Sequence, residues 1–107
     1  MSDVIQVVTT TSNRADAERL ARALVEQRLA ACVQIDGPIT SIYHWQGAIE
    51  TAEEWRLTVK SLGALYDRLE AAIRAIHSYD TPEIVATPVI AVSEAYRRWL
   101  ESQVAGS

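Results

Sequence analysis

Phenylalanine is absent from this chain, and cysteine and methionine occur once each. A single thiol, Cys32, excludes an intrachain disulfide, and its apolar run suits a reducing compartment. No stretch of the 107 residues is apolar for long enough to span a bilayer. The opening MSDVIQVV has no basic segment ahead of an apolar one, so no secretory signal is expected. These absences predict a cytoplasmic protein without a membrane partner. Basic charge is scarce too: ten Lys and Arg against fourteen Asp and Glu leave a net charge of −4. A general nucleic-acid binder needs a basic face, so nucleic acid is not an expected partner. The four glycines are scattered, and no loop among them cradles a phosphate. CxxC, HExxH, EF-hand and G-x-S-x-G patterns are all missing. The expectation is a protein that is not an enzyme and holds no tightly bound cofactor.

What is present points to one folded domain over residues 1–107. Hydrophobic residues make up 49% and charged residues 22%, the balance of a globular chain. A chain this short buries only about two thirds of its unfolded surface, so neighbouring subunits would help it.

The β-branched run VIQVVTTT predicts a strand over Val4 to Thr11. Asn13 can cap the helix that follows, which runs to about Ala30 with Leu20 and Leu24 on its apolar face. Ala30 to Ile35 begins a second strand, which Asp36-Gly37-Pro38 interrupts. It resumes with Ile39, Ser41, Tyr43 and Trp45 on one face and Thr40, Ile42 and His44 on the other. Gln46-Gly47 is a turn, and a long third strand returns from Ile49 to about Lys60. Ser61 is expected to cap a second helix, in which Leu62, Leu65, Leu69, Ala72, Ile73 and Ile76 follow steps of three and four. Ile84 to Val92 reads as a fourth strand, apolar on both faces. A last helix opens at Ser93 and Glu94, with Tyr96, Trp99 and Leu100 on its apolar side.

The order βαββαβ plus a terminal helix is the ferredoxin-like arrangement, an α+β fold with strand order 4-1-3-2. Pro38 and Pro88 then fall in edge strands, where a missing N–H is tolerated. Two helices cover one sheet face. An uncovered apolar face and a long hairpin bearing Ile42, Tyr43, Trp45 and Trp55 predict a homo-oligomer.

The segment HSYDTPE (77–83) concentrates groups able to do chemistry. His77 with Asp80 or Glu83 could form a weak metal site completed by another chain, for Cu or Zn. Against it, His77 follows a helix end, where an imidazolium favours the macrodipole. Cys32 reads as a buried, inert thiol. Glu53 and Glu54 face opposite sides of their strand and read as solvated. The aromatic set Tyr43, Trp45, Trp55 and Tyr79 suits interface packing first and a ligand cleft second, to which Lys60 would add a cation.

RLAACVQI (28–35), SIYHWQGAIE (41–50), TVKS (58–61) and HSYDTPEIVATPV (77–89) together resemble the CutA1 family of divalent-cation tolerance proteins. The resemblance runs from the first strand to YRRWL of the last helix. It implies a homotrimer of ferredoxin-like subunits, PII-like in architecture, with hairpins packed on neighbours. It also implies a role in the response to divalent metal ions, copper above all. The family's polar and aromatic positions near the subunit boundary fall on Tyr43, Trp45, Lys60, His77, Tyr79 and Glu83. Two departures stand out. Ser78 and Asp80 replace the usual HPYE or HPYQ pattern, and the copper set proposed in the family falls on Thr9, Ile76 and His77. Only His77 can ligate, so that site does not carry over. Two alternatives remain beside the metal role: a PII-like sensor taking a small polar ligand through Lys60, Tyr79 and Glu83, and a trimeric structural adaptor.

Overall fold

The computed structural model describes residues 3–105. The chain forms β1 (Val4–Thr11), α1 (Arg14–Glu26), β2 (Cys32–Trp45), β3 (Ala48–Leu62), α2 (Tyr66–Ile76), β4 (Val85–Pro88) and α3 (Glu94–Gln103). The four strands make one antiparallel sheet in the order β2-β3-β1-β4. This is the expected order, with Pro38 and Pro88 in the two edge strands.

Strand alternation sends Ile5, Val7, Leu57 and Val59 to one face. There they bury with Leu20 and Leu24 of α1 and Leu69 and Ile73 of α2. Val4 and Leu62 belong by the same alternation to the opposite face. They pack with Leu65, Leu100 and Val104, so α3 covers one end of the face that the sequence left bare. The rest of that face is mixed rather than the apolar sheet expected, with Val8 and the half-exposed Val85 beside polar groups. It carries Gln6, Gln34, Asp36, Arg56, Thr58 and Lys60, joined by Lys60 Nζ donating to Gln34 Oε1 at 2.9 Å and by an Arg56–Asp36 ion pair at 2.8 Å.

Several boundaries differ from the sequence reading. Helix α1 begins as expected, with Asn13 Oδ1 accepting from the Asp16 N–H at 2.7 Å. It ends at Glu26 rather than Ala30, because Arg28 adopts a left-handed φ of 61°. The Leu29 N–H then reaches back to the Leu24 carbonyl, closing the helix end. Strand β2 is not interrupted at 36–38; it continues through a register shift between Asp36 and Ile39. Ser61 does not cap α2. It is buried in β3, its hydroxyl donating to the Leu29 carbonyl at 2.6 Å. A 3-10 turn over Gly63–Leu65 intervenes, and α2 starts at Tyr66 without a side-chain cap. Strand β4 is far shorter than Ile84 to Val92. Its partner β1 starts at Val4, so the ladder ends where the Val89 N–H meets the Val4 carbonyl, and Ile90 is fully exposed. In α3, Tyr96 and Leu100 pack inward, but Trp99 stays 43% exposed beside Tyr96.

The β1–β3 ladder stops at Thr11 and Trp55, whereas β2 and β3 stay paired out to Trp45 and Ala48. A two-stranded ribbon therefore projects about 20 Å beyond the sheet. It gives the molecule extents of 45 × 25 × 22 Å. Gln46 and Gly47 turn its tip with φ of 52° and 83°.

Candidate functional site

The loop between α2 and β4 and the projecting ribbon build a cleft of about 920 Å³. The ribbon supplies Tyr43, Trp45, Glu50 and Glu54, and the loop supplies Tyr79, Asp80 and Glu83, with Thr10 at the end of β1. Ribbon pairing explains the first set. Tyr43 lies opposite Glu50 and Trp45 opposite Ala48, so by alternation Ser41, Tyr43, Trp45, Glu50 and Glu54 share one face. Ile42, His44 and Ile49 take the other.

His77 fixes the loop. It ends α2 in an extended conformation, and its Nε2–H donates to the Thr10 carbonyl at 2.7 Å. Its Nδ1 accepts the Tyr79 N–H at 3.0 Å. Both ring nitrogens are thus committed inside one protomer, and the two bonds select the Nε2–H tautomer. The imidazole lies 4.8 Å from the Tyr79 ring, centroid to centroid. The chain bends through Ser78 to Thr81 and then passes Pro82 toward β4.

Tyr79 crosses to the ribbon. Its hydroxyl donates to Glu54 Oε2 at 2.8 Å, and Glu54 is only 8% exposed. Burial pushes the Tyr79 phenol well above its ordinary range, and the Glu54 carboxylate, by hydrogen bond and by charge, pushes it further. The phenol therefore remains protonated and keeps donating. Glu54 was read from the sequence as a solvated strand residue, which the structure corrects. Its partner lies 25 positions away, and no local pattern links the two. The one available signal was the pairing of a tyrosine-bearing loop with a strand acid in a fold that brings them together.

Of the residues singled out, Tyr43, Trp45, Tyr79 and Glu83 meet in this cleft. Lys60 does not line it: the side chain lies along β3 from Glu54, bonded to Gln34. Trp55 packs against the core under α1 and α2. Cys32 is half-buried on an edge strand rather than fully buried, close enough to Tyr96 that its charge would raise the Tyr96 phenol, which burial already raises. Thr9, at one of the family's proposed copper positions, is fully buried in β1. Among the described residues no three His, Cys, Asp or Glu side chains converge as metal ligands would.

Comparison with known proteins matches residues 5–103 to the family described as "CutA1 divalent ion tolerance protein". The divalent-cation tolerance protein CutA of Thermus thermophilus is 42% identical over 94 residues, covering 88% of this chain and 91% of that one. The chloroplastic protein CutA of Arabidopsis thaliana is 37% identical over 98 residues, 92% of this chain but 54% of its own length. The chain therefore spans about half the length of that plant relative. Among solved structures, CutA1 from Oryza sativa superposes with a TM-score of 0.96 at 35% identity, covering 99% of this chain and 97% of that one. With the family's motifs lying on the loop and ribbon that form the cleft, the chain belongs to the CutA1 divalent ion tolerance family.

Proposed function

We propose that this chain works as a ferredoxin-like homotrimer, PII-like in architecture, in the cytoplasmic response to divalent metal ions, copper above all. It performs no catalysis of its own, and its metal binding is weak and completed between subunits. The relatives' printed names supply the divalent-cation role. The single observation that carries the weak-binding reading is the His77 ring, pinned at both nitrogens. Metal capture at Nδ1 releases the Tyr79 N–H, forfeiting about 1 kcal/mol, or roughly fivefold in affinity. Acquiring further ligands from Asp80, Glu83 or a neighbour then recovers only part of a tight site.

The ribbon supports the trimer. A two-stranded hairpin is marginal alone, and Ile42 and Ile49 on its outer face are 69% and 68% exposed. A neighbour's surface would cover them.

Growth under graded Cu²⁺, in cells deprived of their own relative, tests the metal role. The chain is expected to restore tolerance, and His77→Ala to restore less. Equal growth with and without the chain would remove the metal role.

A second reading, a sensor of a small ligand, is favoured by the cleft itself. Tyr43, Trp45, Tyr79 and Glu83 converge there, in a volume suited to a small molecule.

A further inference from the structure

The charge pattern of the cleft narrows what that small ligand can be, an inference that rests on the small-ligand reading. Tyr43 and Trp45 are 44% and 58% exposed and stand on the same ribbon face. Around them lie the carboxylates of Glu50, Glu54, Asp80 and Glu83. Among the described residues, none of the lining side chains is Lys, Arg or His. Arg56, two positions along β3 from Glu54, is held by Asp36. The Tyr79 hydroxyl is spent on Glu54 and offers an incoming anion no donor. An anion entering this space meets four carboxylates and no cationic side chain, with only neutral hydroxyls such as those of Ser41, Tyr43 and Thr51 to set against them. A cation meets the carboxylates and the negative faces of aromatic rings, to which ammonium groups are drawn within about 6 Å of the centroid. A bare metal ion would use the acids but gain nothing from the apolar walls.

We infer that the cleft binds a small organic cation, an ammonium head carrying an apolar body. The head sits against the rings of Tyr43 and Trp45, and Glu50, exposed across the ribbon from Tyr43, balances its charge. Glu54 keeps Tyr79 in place and shapes the floor.

Three probes titrated into the full chain in its own assembly test this. They are choline, its uncharged isostere 3,3-dimethylbutan-1-ol, and inorganic phosphate, followed by tryptophan fluorescence and saturation-transfer NMR. Choline is expected to saturate, and the isostere to bind at least about tenfold more weakly, because it lacks the charge. Trp45→Leu and Glu50→Gln, both on the exposed ribbon, should each weaken choline about fivefold with melting curves near that of the parent. Equal binding of choline and its isostere overturns the inference, as does choline binding indifferent to both substitutions. Phosphate binding without choline binding overturns it while leaving the small-ligand reading intact. Silence from all three probes overturns both.

Discussion

The Tyr79 hydroxyl donates to Oε2 of Glu54 at 2.8 Å, tying the loop after α2 to the base of the projecting ribbon. This bond gives a buried carboxylate its partner. Tyr79→Phe should therefore cost about 1–3 kcal/mol in chemical denaturation, toward the lower end because the tyrosine is only half-buried. The same bond has a pH signature. The phenol's pKa is raised from 10.0 in the folded chain, so its contribution is complete below pH 10 and is lost as pH rises through the folded value. Stability should fall with pH above 10. Tyr79→Phe should flatten that fall by up to about 1.4 kcal/mol per pH unit, and by less where solvent screens the group. Identical alkaline slopes would contradict the assignment.

Thr9 is fully buried in β1, and among the described residues its Oγ1 has no hydrogen-bond partner. Thr9→Val keeps the shape and removes the orphaned hydroxyl. The substitution should raise stability by about 1 kcal/mol, read from the denaturation midpoint. A loss of stability would mean the hydroxyl is satisfied in solution.

Gly37 marks where β2 shifts register, and the Trp55 ring lies directly over it. A Cβ there would stand 2.6 Å from Trp55 Cδ1 and 2.8 Å from Cγ. Gly37→Ala should cost about 1–3 kcal/mol as Trp55 is displaced from the core edge. Its fluorescence should shift accordingly. An unchanged midpoint would refute the close approach.

Ile42 and Ile49 test the assembly. In the proposed trimer, burying each on a neighbour would be worth about 1.5–3 kcal/mol. The double substitution Ile42→Ser, Ile49→Ser should shift the mass measured by light scattering from trimer toward monomer at micromolar concentration. A trimer of undiminished stability would place the subunit contact elsewhere.

How much of this was legible in the sequence depends on the range of the interaction. Asn13 capping α1 and Gln46-Gly47 turning the ribbon are local, and the structure places both as the residues imply. The apolar steps of α2 at Leu69 and Ile73 are read equally well. Leu62 and Leu65 keep the same spacing, yet they belong to a strand end and a 3-10 turn packed on α3. Periodicity alone cannot separate the two cases. Ser61 looks like a cap and is a buried strand residue, because β1 extends the ladder to Leu62. Glu54 was misread for a similar reason: its partner, Tyr79, arrives from another element. Tyr43, Trp45, Tyr79 and Glu83 share family positions in the sequence, and the structure brings all four to the cleft. Lys60 belongs to the same set of family positions, yet within one protomer strand geometry carries it away from the cleft, to Gln34.

The proposed metal binding is weak and passes through His77. Isothermal titration of Cu²⁺ into the metal-free assembly, beside His77→Ala, tests it most directly. The parent chain is expected to release Cu²⁺ with a dissociation constant in the micromolar range or weaker, about 8 kcal/mol or less, and the variant to lose that uptake. Nanomolar binding, or equal uptake by both proteins, would contradict it.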